Sequence, residues 1–167
     1  MYADEDELIK NIMCGTVLAC MKMKGEKTLR KILIASHGDF AKGLKNSLAL
    51  IVGDLANDIE TFCLYPSQSP MDFKEKMEET VKRESDTEFI FLCDLKGGSV
   101  HTVCSQLCEY KNVKVFSGTN MNLVLDLLLS CPDEIQEQQK ESLLSNARQG
   151  ITLMTREDLI IEKDEEF

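Results

Sequence analysis

The stretch KILIASHGDFAKGL, residues 31–44, changes its hydrophobic period midway. Ile32, Leu33, Ile34 and Ala35 form an unbroken apolar run, the pattern of a strand covered on both faces. The run stops at Ser36-His37-Gly38. Beyond it Phe40, Leu44, Leu48 and Ile51 recur at helical spacing, and Gly53 supplies a stop. A buried strand therefore ends on a histidine, and a helix starts within a few residues of it.

The same alternation continues down the chain. IETFCLY (residues 59–65) reads as a second strand, followed by a charged helix with Pro70 near its first turn. EFIFLC (88–93) is another fully apolar strand. DLKGGS (94–99) is a loop whose Ser99 can cap the helix VHTVCSQLCEY. VKVFSG (113–118) is a fourth strand and MNLVLDLLLS (121–130) a strongly apolar helix stopped by Pro132. EIQEQQKESLLSNARQG is a last helix, with Gly150 at its end. ITLM (151–154) is short enough for a closing strand only. Strands alternating with helices of this length imply right-handed βαβ units around a mainly parallel sheet. The expected fold is thus α/β, a three-layer sandwich.

The chain has 167 residues and a formal net charge of −10, which argues against nucleic acid or an anionic membrane as the main partner. Trp is absent, so stacking on bases is not the theme. Of the seven cysteines, Cys63 and Cys93 lie in apolar runs and Cys104 and Cys108 are one helical turn apart; Cys14, Cys20 and Cys131 complete the set. No C-x-x-C occurs and the count is odd, as expected of reduced thiols in a cytoplasmic protein. The apolar segment 12–21 follows acidic residues, where a signal peptide carries positive charge. Residues 1–28 are expected to be an extension, helical or disordered, residues 29–157 the folded domain, and residues 158–167 an acidic tail.

In an open α/β sheet ligands bind outside the carboxyl ends of the strands, where the strand order reverses. With the order 2-1-3-4 that point lies between strands 1 and 3, which end at His37 and Asp94. A neutral imidazole is nucleophilic at one ring nitrogen when the other keeps its proton, and a carboxylate accepting that N–H fixes the tautomer. HGDF and GGS each stand where a helix begins, so Gly38, Gly97, Gly98 and Ser99 are candidates for holding an anion. Together these residues describe a phosphohistidine site that needs no cofactor and no metal. The only other histidine, His101, falls at the start of the third helix and is expected to have a surface or helix-start role.

ILIASHGDFAKGL, DLKGGS, VFSGTNMNLVLDLLL and NARQGI, in this order and at these separations, resemble the mannose-family IIA domain of the bacterial phosphoenolpyruvate–sugar phosphotransferase system. The resemblance spans residues 29–151. It implies the strand order 2-1-3-4 plus a short antiparallel fifth strand, often exchanged across a homodimer, for which ITLM is the candidate. It implies a phosphotransferase that takes phosphate from the phosphocarrier HPr and passes it to a IIB domain, and so serves sugar uptake through membrane IIC and IID components. His37 matches the phosphorylated histidine, Asp94 the aspartate that orients it, and Ser99 a hydroxyl beside the phosphate. Val100, Asn122 and Lys96 depart from the family pattern, which often has proline at the first two positions and an apolar or aromatic residue at the third.

Three other readings fit parts of the pattern. A histidine phosphatase needs Arg before its first-strand histidine, and here stands Ser36. A receiver domain needs an acidic pair at the end of strand 1. A flavodoxin-like binding module needs a Ser/Thr-rich loop there.

Overall fold

The computed structural model describes residues 29–158, residue 132 excepted. Its strands are β1 (Leu29–His37), β2 (Glu60–Leu64), β3 (Thr87–Cys93) and β4 (Val113–Ser117). Its helices are α1 (Phe40–Val52), α2 (Pro70–Arg83), α3 (Ser99–Gln106), α4 (Met121–Ser130) and α5 (Glu137–Gln149). The four strands form one parallel sheet in the order β2-β1-β3-β4.

The period-2 geometry of the strands splits their apolar residues between two cores. Ile32, Ile34, Ile90 and Leu92 face Leu44 and Leu48 of α1, Leu127 of α4 and Leu143 of α5. Leu33, Ala35, Phe89, Phe91 and Cys93 face Met77 and Val81 of α2 and Val100 and Cys104 of α3. Every position of β3 is buried, which is why its sequence shows no polar alternation. Burying one such Leu, Ile or Phe side chain is worth about 1.5–3 kcal/mol.

Two helix starts follow local chemistry. The Ser69 hydroxyl accepts the Met71 amide at 3.1 Å, and Pro70 holds the first helical position of α2. In α1 the core face is Ala41, Leu44 and Leu48, whereas Phe40 and Ile51 are 43% and 60% exposed. Leu44 and Leu48 carry the helical spacing in the sequence, but the buried stripe also runs through Ala41, a residue whose small side chain carries little pattern.

The expected antiparallel fifth strand is not seen among the described residues. Residues 151–154 join no sheet among the described residues, and Ile151, Leu153 and Met154 are 77%, 87% and 65% exposed. A strand exists through hydrogen bonds to a neighbour, and among the described residues this segment is paired with none. Residues 1–28, with Cys14 and Cys20, and the tail from residue 159 onward lie outside the described residues. The five remaining cysteines are free thiols.

At the amino end of the sheet a buried ion cluster ties three strands together. The Glu88 carboxylate, 2% exposed, lies 2.6 Å from Arg30 Nε and 2.6 Å from Lys114 Nζ. It also accepts the Ile135 amide at 3.2 Å, while Arg30 donates to the Cys131 carbonyl. Removing one partner of such a cluster leaves uncompensated buried charge. Glu88→Ala should therefore lower the unfolding free energy in urea by about 3 kcal/mol; a loss under about 1 kcal/mol would mean that solvent screens the cluster.

Candidate functional site

The pairing of β1 with β3 aligns Ala35 with Cys93, and the Asp94 amide donates to the Ala35 carbonyl at 3.2 Å. That register carries the Asp94 side chain to the last residue of β1. Asp94 Oδ2 accepts the His37 backbone N–H at 2.8 Å and lies 2.9 Å from His37 Nδ1. Asp94 Oδ1 accepts the Leu95 amide at 2.8 Å. An ionised carboxylate only accepts, so Nδ1 carries the ring proton and Nε2 the lone pair. Ser99 Oγ stands 3.0 Å from Nε2 and donates to it.

The His37 side chain is 41% exposed and Asp94 16%. The imidazole is thus open to a partner while the carboxylate beneath it is largely shielded. Burial pushes the Asp94 carboxyl up, but the His37 amide and ring N–H and the Leu95 amide outweigh it and hold the carboxyl below its usual range.

The β3–α3 loop is shaped around this ring. Gly98 donates its amide to the Leu95 carbonyl at 3.1 Å, and Gly97 sits between them at φ +79°, the pattern of a type II turn with glycine at its third position. A Cβ at Gly98 would lie 3.0 Å from His37 Cε1 and 3.3 Å from the Leu95 carbonyl oxygen. Glycine at 98 lets the imidazole sit against the loop. The Gly97 amide is taken by His101 Nδ1 at 3.2 Å, and the Gly38 amide by the Leu64 carbonyl at 2.9 Å. The three glycine amides are therefore engaged within the protein. The donors with no intrahelical partner are the first amides of α3, starting at Ser99. Ser99 itself is not the cap: Gly98 holds that position, and the Ser99 hydroxyl turns to His37 instead.

Two supporting residues were not singled out from sequence. Ser36 is fully buried, and its hydroxyl accepts the Ala41 amide at 2.8 Å; it caps α1 from inside β1, where Asp39 provides no side-chain cap. Thr119, 6% exposed, donates both its amide (3.1 Å) and its hydroxyl (2.8 Å) to the Cys93 carbonyl, fixing the peptide that precedes Asp94. Serine and threonine carry no signal of such use until their neighbours are known. At the rim the Tyr65 hydroxyl donates to Asp39 Oδ1 at 2.6 Å and accepts from Lys42 Nζ at 2.8 Å. Among the described residues no three His, Cys, Asp or Glu side chains are grouped to hold a metal ion, and no helix is long and apolar enough to cross a membrane.

Residues 31–143 match the family model EIIA-man, described as the PTS system fructose IIA component. The chain belongs to this family. It is 24% identical over 113 residues to the sorbose-specific EIIA component of the PTS system of Klebsiella pneumoniae, covering 64% of this chain and 82% of that one. It is 25% identical over 99 residues to the fructose-specific EIIA component of Bacillus subtilis (strain 168), covering 58% and 67%. Its fold resembles the PTS IIA protein associated with the fucose utilization operon of Streptococcus pneumoniae, with a TM-score of 0.64, 30% identity, and 76% and 94% of the two chains covered. The EIIA-man match takes in both strand ends that meet at the site, and EIIA domains are phosphotransferase-system components.

In this EIIA domain Asp94 should titrate below the ordinary aspartate value of about 3.9. A carboxyl whose folded pKa is depressed adds stability that is complete above the unfolded pKa and is lost as pH falls through the folded value. Carbon NMR of the side-chain carboxyls across the acid range reads this directly. A titration at or above the ordinary value would contradict the hydrogen bonding described here.

Proposed function

We propose that the domain is a phosphoryl carrier of a sugar phosphotransferase system, in which His37 Nε2 accepts the group from the phosphohistidine of HPr and hands it to a IIB component. The observation that carries this reading is the double contact of Asp94 Oδ2 with the amide and Nδ1 of His37, at 2.8 and 2.9 Å. The Nε2 lone pair attacks phosphorus, the donor's P–N bond breaks, and its electron pair returns to the donor imidazole. The positive charge that grows on the His37 ring is shared with Asp94 through the Nδ1 proton. Ser99 Oγ releases Nε2 and gives its hydrogen bond to a phosphoryl oxygen, while the free amides of α3 face the same anion. Gly98 serves the phosphate site by shape, letting the ring approach the backbone, and Gly38 and Gly97 serve it by adopting the positive φ that the two loops need. Transfer to IIB is the same step in reverse, with the acceptor as nucleophile. The domain then works on the cytoplasmic side of membrane IIC and IID components.

The same reading includes a homodimer. Ile151, Leu153 and Met154 are exposed on the one described segment that was expected to be a strand and joins no sheet, and the outer edge of β4 is unpaired among the described residues. Beside that edge lies a groove of about 550 Å³ lined by Phe116, Leu144 and Ile151 among others. Pairing residues 151–154 of one copy with β4 of another would bury these side chains and supply the fifth strand.

Incubation with enzyme I, HPr and labelled phosphoenolpyruvate tests the function. The protein should take up one acid-labile, base-stable phosphoryl group. His37→Ala should take up none, and Asp94→Asn should transfer at least about a hundredfold more slowly, as a mis-set tautomer does in related chemistry. Equal labelling of His37→Ala would refute the assignment.

A further inference from the structure

We infer that His101 is a positioning residue, whose Nδ1 fixes the orientation of the turn that cradles His37. The inference rests on the phosphoryl-transfer reading above.

The protonation of this ring follows from its partners. A backbone N–H can only donate, so Nδ1, which meets the Gly97 amide at 3.2 Å, is the bare nitrogen. Ser105 Oγ gives its one proton to the His101 carbonyl at 2.8 Å. Its contact with Nε2 at 3.3 Å is therefore an Nε2–H donated to the hydroxyl. The ring is half-buried on the first turn of α3, and both nitrogens are committed to the protein. It has no nitrogen left for a ligand, but it holds a specific peptide.

That peptide is the one joining Lys96 to Gly97, at the centre of the turn closed by the bond from Gly98 to Leu95. Type I and type II turns differ chiefly by a flip of this central unit. Glycine at the third position tolerates both forms, so the turn sequence alone does not choose. The Gly97 N–H points to His101 in only one of them. The choice matters because the next residue, Gly98, packs against the imidazole so closely that a Cβ there would fall 3.0 Å from His37 Cε1. A flip moves the backbone of Gly97 and Gly98 and disturbs both the seat of the ring and the approach of Ser99 to Nε2. Thr102 reinforces the arrangement from the helix side, its amide and hydroxyl both reaching the Gly98 carbonyl at 2.9 Å.

Two variants separate this role from simple packing. His101→Leu keeps an apolar body and removes the acceptor. His101→Asn is smaller but places Oδ1 where Nδ1 stands, one bond from Cγ. Rates of phosphoryl uptake from phospho-HPr at saturation should fall roughly tenfold in H101L and stay within about twofold of wild type in H101N, the scale of one lost hydrogen bond. Exchange of the Gly97 amide should be fast in H101L and slow in wild type and H101N. Wild-type rates in H101L, or an H101N as slow as H101L, would overturn the inference; if H101L does not fold, the H101N rate decides. A wild-type protein that takes up no phosphoryl group would remove the proposed function and this inference together. A labelled wild type with an unaffected H101L would remove this inference alone.

Discussion

One carboxylate oxygen accepts two N–H groups of a single residue, the backbone amide and the ring Nδ1 of His37. The first contact fixes where the histidine stands and the second fixes which nitrogen is left bare. Both depend on the parallel pairing of β1 with β3, in which Ala35 aligns with Cys93 and the ladder continues one step to the Asp94 amide. A slip of one residue would send Asp94 to the opposite face of the sheet. The register is therefore protected from both sides: the five core residues of β3 alternate between two apolar cores, and Thr119 holds the Cys93 carbonyl from β4's side.

The ends of the sheet divide the work. At the amino end the Glu88 cluster joins β1, β3 and β4 by buried ion pairs. At the carboxyl end the same strands leave an imidazole exposed and a carboxylate shielded. Around the imidazole the loops have spent their glycine amides on internal bonds and present instead a hydroxyl and the start of a helix. An anion arriving at Nε2 meets donors that belong to α3, whose placement depends on the turn before it. Gly98 matters for the distance it allows between backbone and ring.

Much of this was legible in the sequence. The apolar run from Ile32 to Ala35 and the buried β3 announce a covered parallel sheet, and the rule for its switch point puts His37 and Asp94 together once the strand order 2-1-3-4, which the family resemblance implies, is granted. What was not legible depends on partners distant in sequence. Ala41 rather than Phe40 faces the core because α1 is rotated by its packing on the sheet. Ser99 looked like a cap because its place before a helix is a capping place, yet its hydroxyl has a better acceptor in His37. The glycine amides looked free because hydrogen-bond bookkeeping needs three dimensions. Residues 151–154 read as a strand from their pattern, but a strand also needs a paired edge, and among the described residues they pair with none.

The most direct measurement is a long-range proton–nitrogen correlation spectrum of the histidine rings at a pH where both are neutral. The chain has only two histidines, so His101→Asn assigns the signals by removing one set. The account predicts opposite tautomers in one molecule, with the proton on Nδ1 in His37 and on Nε2 in His101. A His37 ring protonated on Nε2, with Nδ1 bare, would contradict it, because Asp94 would then not be preparing Nε2 for attack.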